Sequence, residues 1–343
     1  MNFFRTTLTT LALCGAVLAH EGPEHEIEDL TKRIKAEGES ADLLLERAIE
    51  YNVVNKTTEA IKDLERALHL EPNSADVLRE LSRTYLMTGK TNEAYDTAAR
   101  GLKVAAPGPE HAGMRMLRSE VMRVRKDYQK SLEDADKAIL EYPEQGDWYL
   151  HRSQLHRLLG LKKERIKGVE AGIQATGSGL LQVELVEAMI DGGQAAAALP
   201  IIQAELDDSR LQSAWLLRRA KARLALNKKN EAKADLEAAL KELNDRVGRT
   251  AIDPLTLADR GQIHELLGNK EEAKKDYESA RDKGVSDEWL RERIKIVKGE
   301  DKKDDKKKPG EKKGPAPKEE AKDGDKDKAD DTSDDKKGDN DPQ

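Results

Sequence analysis

Cysteine is almost missing from this 343-residue chain, Cys14 being the only one. No internal disulfide can form, so the fold has to rest on ordinary packing. Phenylalanine is confined to Phe3 and Phe4, and aromatic residues make up only 3 % of the whole. Any core must therefore be aliphatic and rich in alanine. A basic surplus is missing too: 60 Lys and Arg face 67 acids, a net charge of −7. That balance argues against wholesale binding of nucleic acid or of an anionic membrane.

Catalytic signatures are also lacking. There is no Gly-x-Ser-x-Gly, no cysteine pair and no dinucleotide loop. Gly89-Lys90-Thr91 looks like the end of a phosphate loop, but Thr84 stands where that loop needs glycine. His264-Glu265 begins like a zinc-protease helix, yet Gly268 occupies the place of the second histidine. His151 and His156 are five apart, on different helix faces. No enzyme activity and no cofactor is expected.

Both ends read as lying outside the fold. Met1 to Arg5 is a short basic start and Thr6 to Leu18 is mostly apolar, too short to span a bilayer, which takes roughly 20 residues. Val17-Leu18-Ala19 suits signal peptidase, so 1–19 is expected to be a signal peptide cleaved after Ala19. Lipid attachment at Cys14 is disfavoured by Leu13, where a small residue is expected. An exported chain, periplasmic or secreted, follows, with a bacterial envelope favoured. At the other end, residues 300 to 343 carry 13 lysines and 16 acids, with no aromatic and no aliphatic larger than Ala. Such a polyampholyte cannot bury enough surface to order itself, so 299–343 is expected to be a disordered charged tail.

Between the ends the chain repeats. Small residues that let helices approach recur at Ala60, Ala94, Ser131, Ala198, Ala232 and Ala273, with Arg165 as the exception. The seven places are 34, 37, 34, 33, 34 and 41 residues apart. Turn residues tolerant of positive φ fall at Asn55, Gly89, Gly160, Gly193, Asn227 and Gly268. Arg47, Arg118, Arg152, Arg219 and Arg260 share one first-helix place. Asp63, Asp134, Asp235 and Asp276 follow four of them by sixteen residues, which predicts ion pairs inside those units. Pro200 falls within a second helix and is expected to kink it or delay its start.

This pattern resembles the tetratricopeptide repeat, a helix-turn-helix unit of 34 residues. The resemblance implies an all-α, right-handed solenoid of seven units over 41–287. Ile27, Leu30 and Ile34 predict a capping helix within 20–40. Trp289, Leu290, Ile294 and Ile296 predict another over 286–298.

The resemblance further implies that first helices line a concave face holding a protein or peptide partner. The residues expected there are Leu45, Ile49 and Asn52, then Arg79, Arg83 and Leu86. Met116, Glu120 and Arg123 follow, and then Leu150, Gln154 and Arg157. Val183, Glu187, Ile190, Leu217, Lys221 and Leu224 continue the row. The arginines suit acidic groups of a partner. The carboxylate clamp of some members needs Lys and Asn; Arg79 and Arg83 stand there instead and Leu117 breaks the pattern, so that mode is not implied.

HEGPEHE at 20–26 stands apart. If cleavage frees His20, its amine and imidazole, with His25, could meet copper, zinc or nickel. Equally, Pro23 and the acids after it begin a helix. Metal handling is thus the alternative function, and a protein-binding adaptor the main expectation.

Overall fold

A computed structural model describes residues 22–247, 253–285 and 288–300. Sixteen α-helices and no strand occur among them. The expected signal peptide at 1–19, His20 and nearly all of the charged tail lie outside the described residues, as does the full stretch 248–252. No helix among the described residues is long and apolar enough to cross a membrane.

The helices pair as the period predicts. The first unit joins α2 (Ala41–Val53) to α3 (Thr57–Leu70), and the second α4 (Ala75–Met87) to α5 (Thr91–Val104). Then come α6 (Pro109–Val124) with α7 (Tyr128–Glu141), and α8 (Gly146–Leu158) with α9 (Lys162–Thr176). The fifth unit is α10 (Gly179–Asp191) with α11 (Ala195–Asp208). The last two are α12 (Ser213–Ala225) with α13 (Lys229–Val247), and α14 (Pro254–Leu267) with α15 (Lys270–Asp282). Caps α1 (Pro23–Glu37) and α16 (Glu288–Lys298) pack on the two ends.

Each unit turns in the same way. In the first, Lys56 N–H reaches back to Tyr51 O at 2.7 Å, and in the seventh Asn269 N–H reaches His264 O at 2.8 Å. The five units between close the same bond, which satisfies a carbonyl left over at the helix end. The closure demands a left-handed residue, filled by Asn55, Gly89, Gly160, Gly193, Asn227 and Gly268. The third unit fills it with Lys126 at φ +65°, a turn the sequence does not advertise.

Close approach explains the small residues. Ala60, Ala94, Ser131, Ala198, Ala232 and Ala273 are fully buried. Two turns further on, Gly172 abuts the Tyr149 ring so tightly that a Cβ there would lie 2.7 Å from its Cγ. Pro200 does not delay α11, which begins five residues earlier. Pro200 and Ala196 are exposed, so the carbonyl that loses its N–H partner can turn to water.

The predicted ion pairs form. Arg47 Nε meets Asp63 Oδ2 at 2.7 Å, and Arg118 meets Asp134 at 2.6 Å. Arg219 Nη2 lies 2.7 Å from Asp235, and Arg260 Nε lies 2.7 Å from Asp276. In the fourth unit Gly168 stands in the aspartate's place, and Arg152 donates to its carbonyl at 3.0 Å. Leu81 and Leu185 fill the arginine's place in the two remaining units.

The caps cover the apolar ends. Ile27 and Leu30 are buried and Ile34 packs on the first core. At the other end Leu290 and Ile294 are buried, and Trp289 sits edge-on to Tyr277 at 5.9 Å. Ile296, expected in that contact, points outward and Val297 packs instead.

Candidate partner-binding groove

The first helices touch one another in series, α2 to α4, α4 to α6 and so on to α14, so they form one continuous face. Residues one repeat apart bridge the neighbours. Asn52 Nδ2 donates to Glu80 Oε1 at 2.8 Å and to Thr84 Oγ1 at 2.7 Å. His151 Nε2 lies 2.8 Å from Ser119 Oγ. Ser153 donates to Glu184 at 2.5 Å, and Arg218 Nε lies 3.3 Å from Glu187, which also pairs with Lys221. Glu80, His151, Glu184, Arg218 and Asp259 all occupy one repeat place, directly before the residue of the ion-pair position. None was expected here from the sequence, though that shared place was readable.

The expected groove residues divide into three groups. Ile49, Gln154 and Arg157 are exposed, as is Arg83, which pairs with Glu80 at 3.2 Å. Arg79 is half-buried and pairs with Asp76 at 2.5 Å. Leu45, Leu86 and Leu150 are half-buried and lean on the core. Met116 belongs to the core itself, at 2 % exposure. The thioether fills space in the cluster that includes Leu132 and Tyr149 rather than facing solvent. The later row is more closed still: Leu217 is buried, and Val183, Ile190 and Leu224 are half-buried.

Charge alternates along the face. Burial pushes the Glu120 carboxyl up, while Arg83 and Arg123 on either side pull it down. The Arg123 Nε is buried and makes no hydrogen bond among the described residues. Burial, helped by the Arg123 charge, holds the His151 imidazole down at about 4. Burial likewise raises Asp259, opposed by Arg218 and Lys221. Such a face offers guanidinium groups to acidic side chains, and its carboxylates fix those guanidiniums in place.

Of the two metal candidates, only His25 lies among the described residues. His25 lies in α1 with Nδ1 3.6 Å from Asp29, one turn on. No group of three potential ligands occurs among the described residues, and His20 lies outside them.

The sequence profile of the tetratricopeptide repeat family matches residues 55–116. No curated protein matches the chain in sequence. A tetratricopeptide repeat protein from Parabacteroides merdae ATCC 43184 is similar in structure, with a TM-score of 0.57 at 18 % identity, covering 75 % of this chain and 98 % of its own. The C-terminal part of a repeat-containing protein from Cytophaga hutchinsonii gives 0.52 at 13 % identity, covering 73 % and 99 %. Identities this low speak for the fold alone. Seven helix pairs in period and one turn geometry throughout give the described residues the tetratricopeptide-repeat fold, and the family profile matches residues 55–116 of it.

Proposed function

We infer that this protein is a non-enzymatic adaptor that holds a protein partner along its first-helix face. The fold supports a protein-interaction scaffold in general. The observation that carries the finer reading is the pair of exposed or underused guanidiniums on that face. Arg157 makes no side-chain bond among the described residues, and Arg123 Nε has no hydrogen-bond partner. An acidic, extended segment would complete their hydrogen bonds. Export to the cell envelope or beyond completes the reading, on the strength of the leader at 1–19.

In-cell crosslinking from the first-helix face tests the groove. A Arg83→Ala, Arg123→Ala, Arg157→Ala triple should lose the partners that the wild type captures. An unchanged partner set would remove the groove from the account. Intact mass of the natively produced protein tests export: a chain beginning at His20 is expected, and a retained Met1 would contradict it.

A further inference from the structure

Unit four departs from its own repeat. Where the other units place Ala or Ser, α9 carries Arg165, and this residue is 5 % exposed. Its Nε and Nη2 bond Glu184 Oε1 at 3.0 and 2.7 Å, and Nη1 bonds Asp191 Oδ2 at 2.7 Å. Ser153 Oγ lies 3.1 Å from Nε. Asp191 is a second departure, because the same place holds Val53, Met87, Val124, Leu158 and Leu266 in other units.

The two departures meet at a cavity of about 220 Å³ on the edge where first helices end. Arg157, Gly160, Lys162, Arg165, Ala188 and Asp191 line it. Arg157 and Lys162 are exposed, with no hydrogen-bond or ion-pair partner for their side chains among the described residues. Arg165 is anchored from behind by Glu184, so its position does not depend on a ligand. With Glu184 included, the cluster still keeps one surplus positive charge.

We propose that this cavity is a carboxylate-binding site. Arg157 and Lys162 would grip the incoming oxygens from the rim, and Arg165 would supply fixed positive charge at the floor. The planar fork of a guanidinium matches a carboxylate in two parallel hydrogen bonds. Asp191 already takes one arm of Arg165, so it competes with the ligand and keeps affinity moderate. Local rules of a repeat tend to fail where a site has been installed, and here two fail at once. The site does not depend on the groove reading, since a small free carboxylate can fill it.

The test uses full-length ¹⁵N-labelled protein titrated with succinate at constant ionic strength, followed by amide NMR. Saturable shifts at Gly160, Lys162, Ala188 and Asp191 are expected. The Arg157→Ala, Lys162→Ala double variant should bind at least about tenfold more weakly. It should melt like the wild type, because neither side chain holds the fold. Asp191→Asn should bind about threefold more tightly by removing the competing carboxylate. No saturable shift at these amides, or a double variant that binds as the wild type does, overturns the site. Tighter saturation by inorganic phosphate than by succinate would overturn its assignment to carboxylates. If the site fails while groove crosslinking still depends on Arg83 and Arg123, the adaptor reading stands alone.

Discussion

Arg118 grips Asp134 across sixteen residues of chain, with Nε and Nη2 on the two carboxylate oxygens at 2.6 and 2.9 Å. Asp134 is buried while the guanidinium keeps some contact with solvent. The pair fixes the angle between α6 and α7, and the same pair recurs in three other units. Removing only the aspartate leaves a part-buried cation unpaired, so Asp134→Ala should cost about 2–4 kcal/mol in denaturant unfolding. Replacing both, as Arg118→Leu with Asp134→Ile, copies the Leu185 and Ile201 of the fifth unit and should recover most of the loss. A double variant no better than the single one would show that the pair is more than a replaceable brace.

Gly172 and Gly101 make a matched comparison. A Cβ on Gly172 would meet the Tyr149 ring at 2.7 Å and Leu181 Cδ1 at 2.9 Å, and the ring has no room to yield. The nearest atoms to a Cβ on Gly101 are the Cε, Sδ and Cγ of Met114, an unbranched and flexible side chain. Both changes gain helix propensity, about 1 kcal/mol. Gly172→Ala should still destabilise by about 1–3 kcal/mol, whereas Gly101→Ala should be near neutral. Thermal and urea unfolding of the two variants side by side give the answer.

Lys126 holds a left-handed conformation that costs a non-glycine residue about 1–2 kcal/mol. The other turns use Gly or Asn at this place. Lys126→Gly should therefore stabilise, by about 0.5–1 kcal/mol once the added entropy of the unfolded chain is allowed for. An urea midpoint that falls instead would mean that the Lys126 side chain contributes more than its backbone costs.

His151 supplies a pH dependence with a definite sign. Burial lowers its folded value to about 4, below the ordinary 6.5, so the neutral form is favoured in the fold. Its contribution is fully present above pH 6.5 and is lost as pH falls toward 4. Between pH 7 and pH 5 the loss from this group should be about 2 kcal/mol. His156 and His264 are lowered by burial too and act in the same direction. A His151→Asn variant should show a flatter stability profile over that interval; a profile as steep as the wild type's would reject the assignment.

The array was legible because its rules repeat. Ala60 and its equivalents, the turn glycines and asparagines, and the Arg–Asp spacing report one geometry in six, six and four of the seven units. Singular features were harder to read. Lys126 carries no turn signature, because its conformation is imposed by the closing bond from Asp127 N–H to Met122 O. Met116 falls at a groove spacing, yet it is buried in the core, as is Leu217 at the equivalent place. Arg165 was visible only as a breach of pattern, since its partners Glu184 and Asp191 come from the next unit. The Ser119–His151 bridge needed knowledge of which first-helix side faces its neighbour.

The nearest-neighbour bridges between first helices also govern mechanics. Each unit is hinged only to the next, so small rotations at successive junctions add up along the rod. The junction between units four and five is different, because Arg165 bolts Glu184 and Asp191 to the preceding helix pair. Rotation at that junction would have to break both ion pairs of Arg165, which favours bending elsewhere along the array.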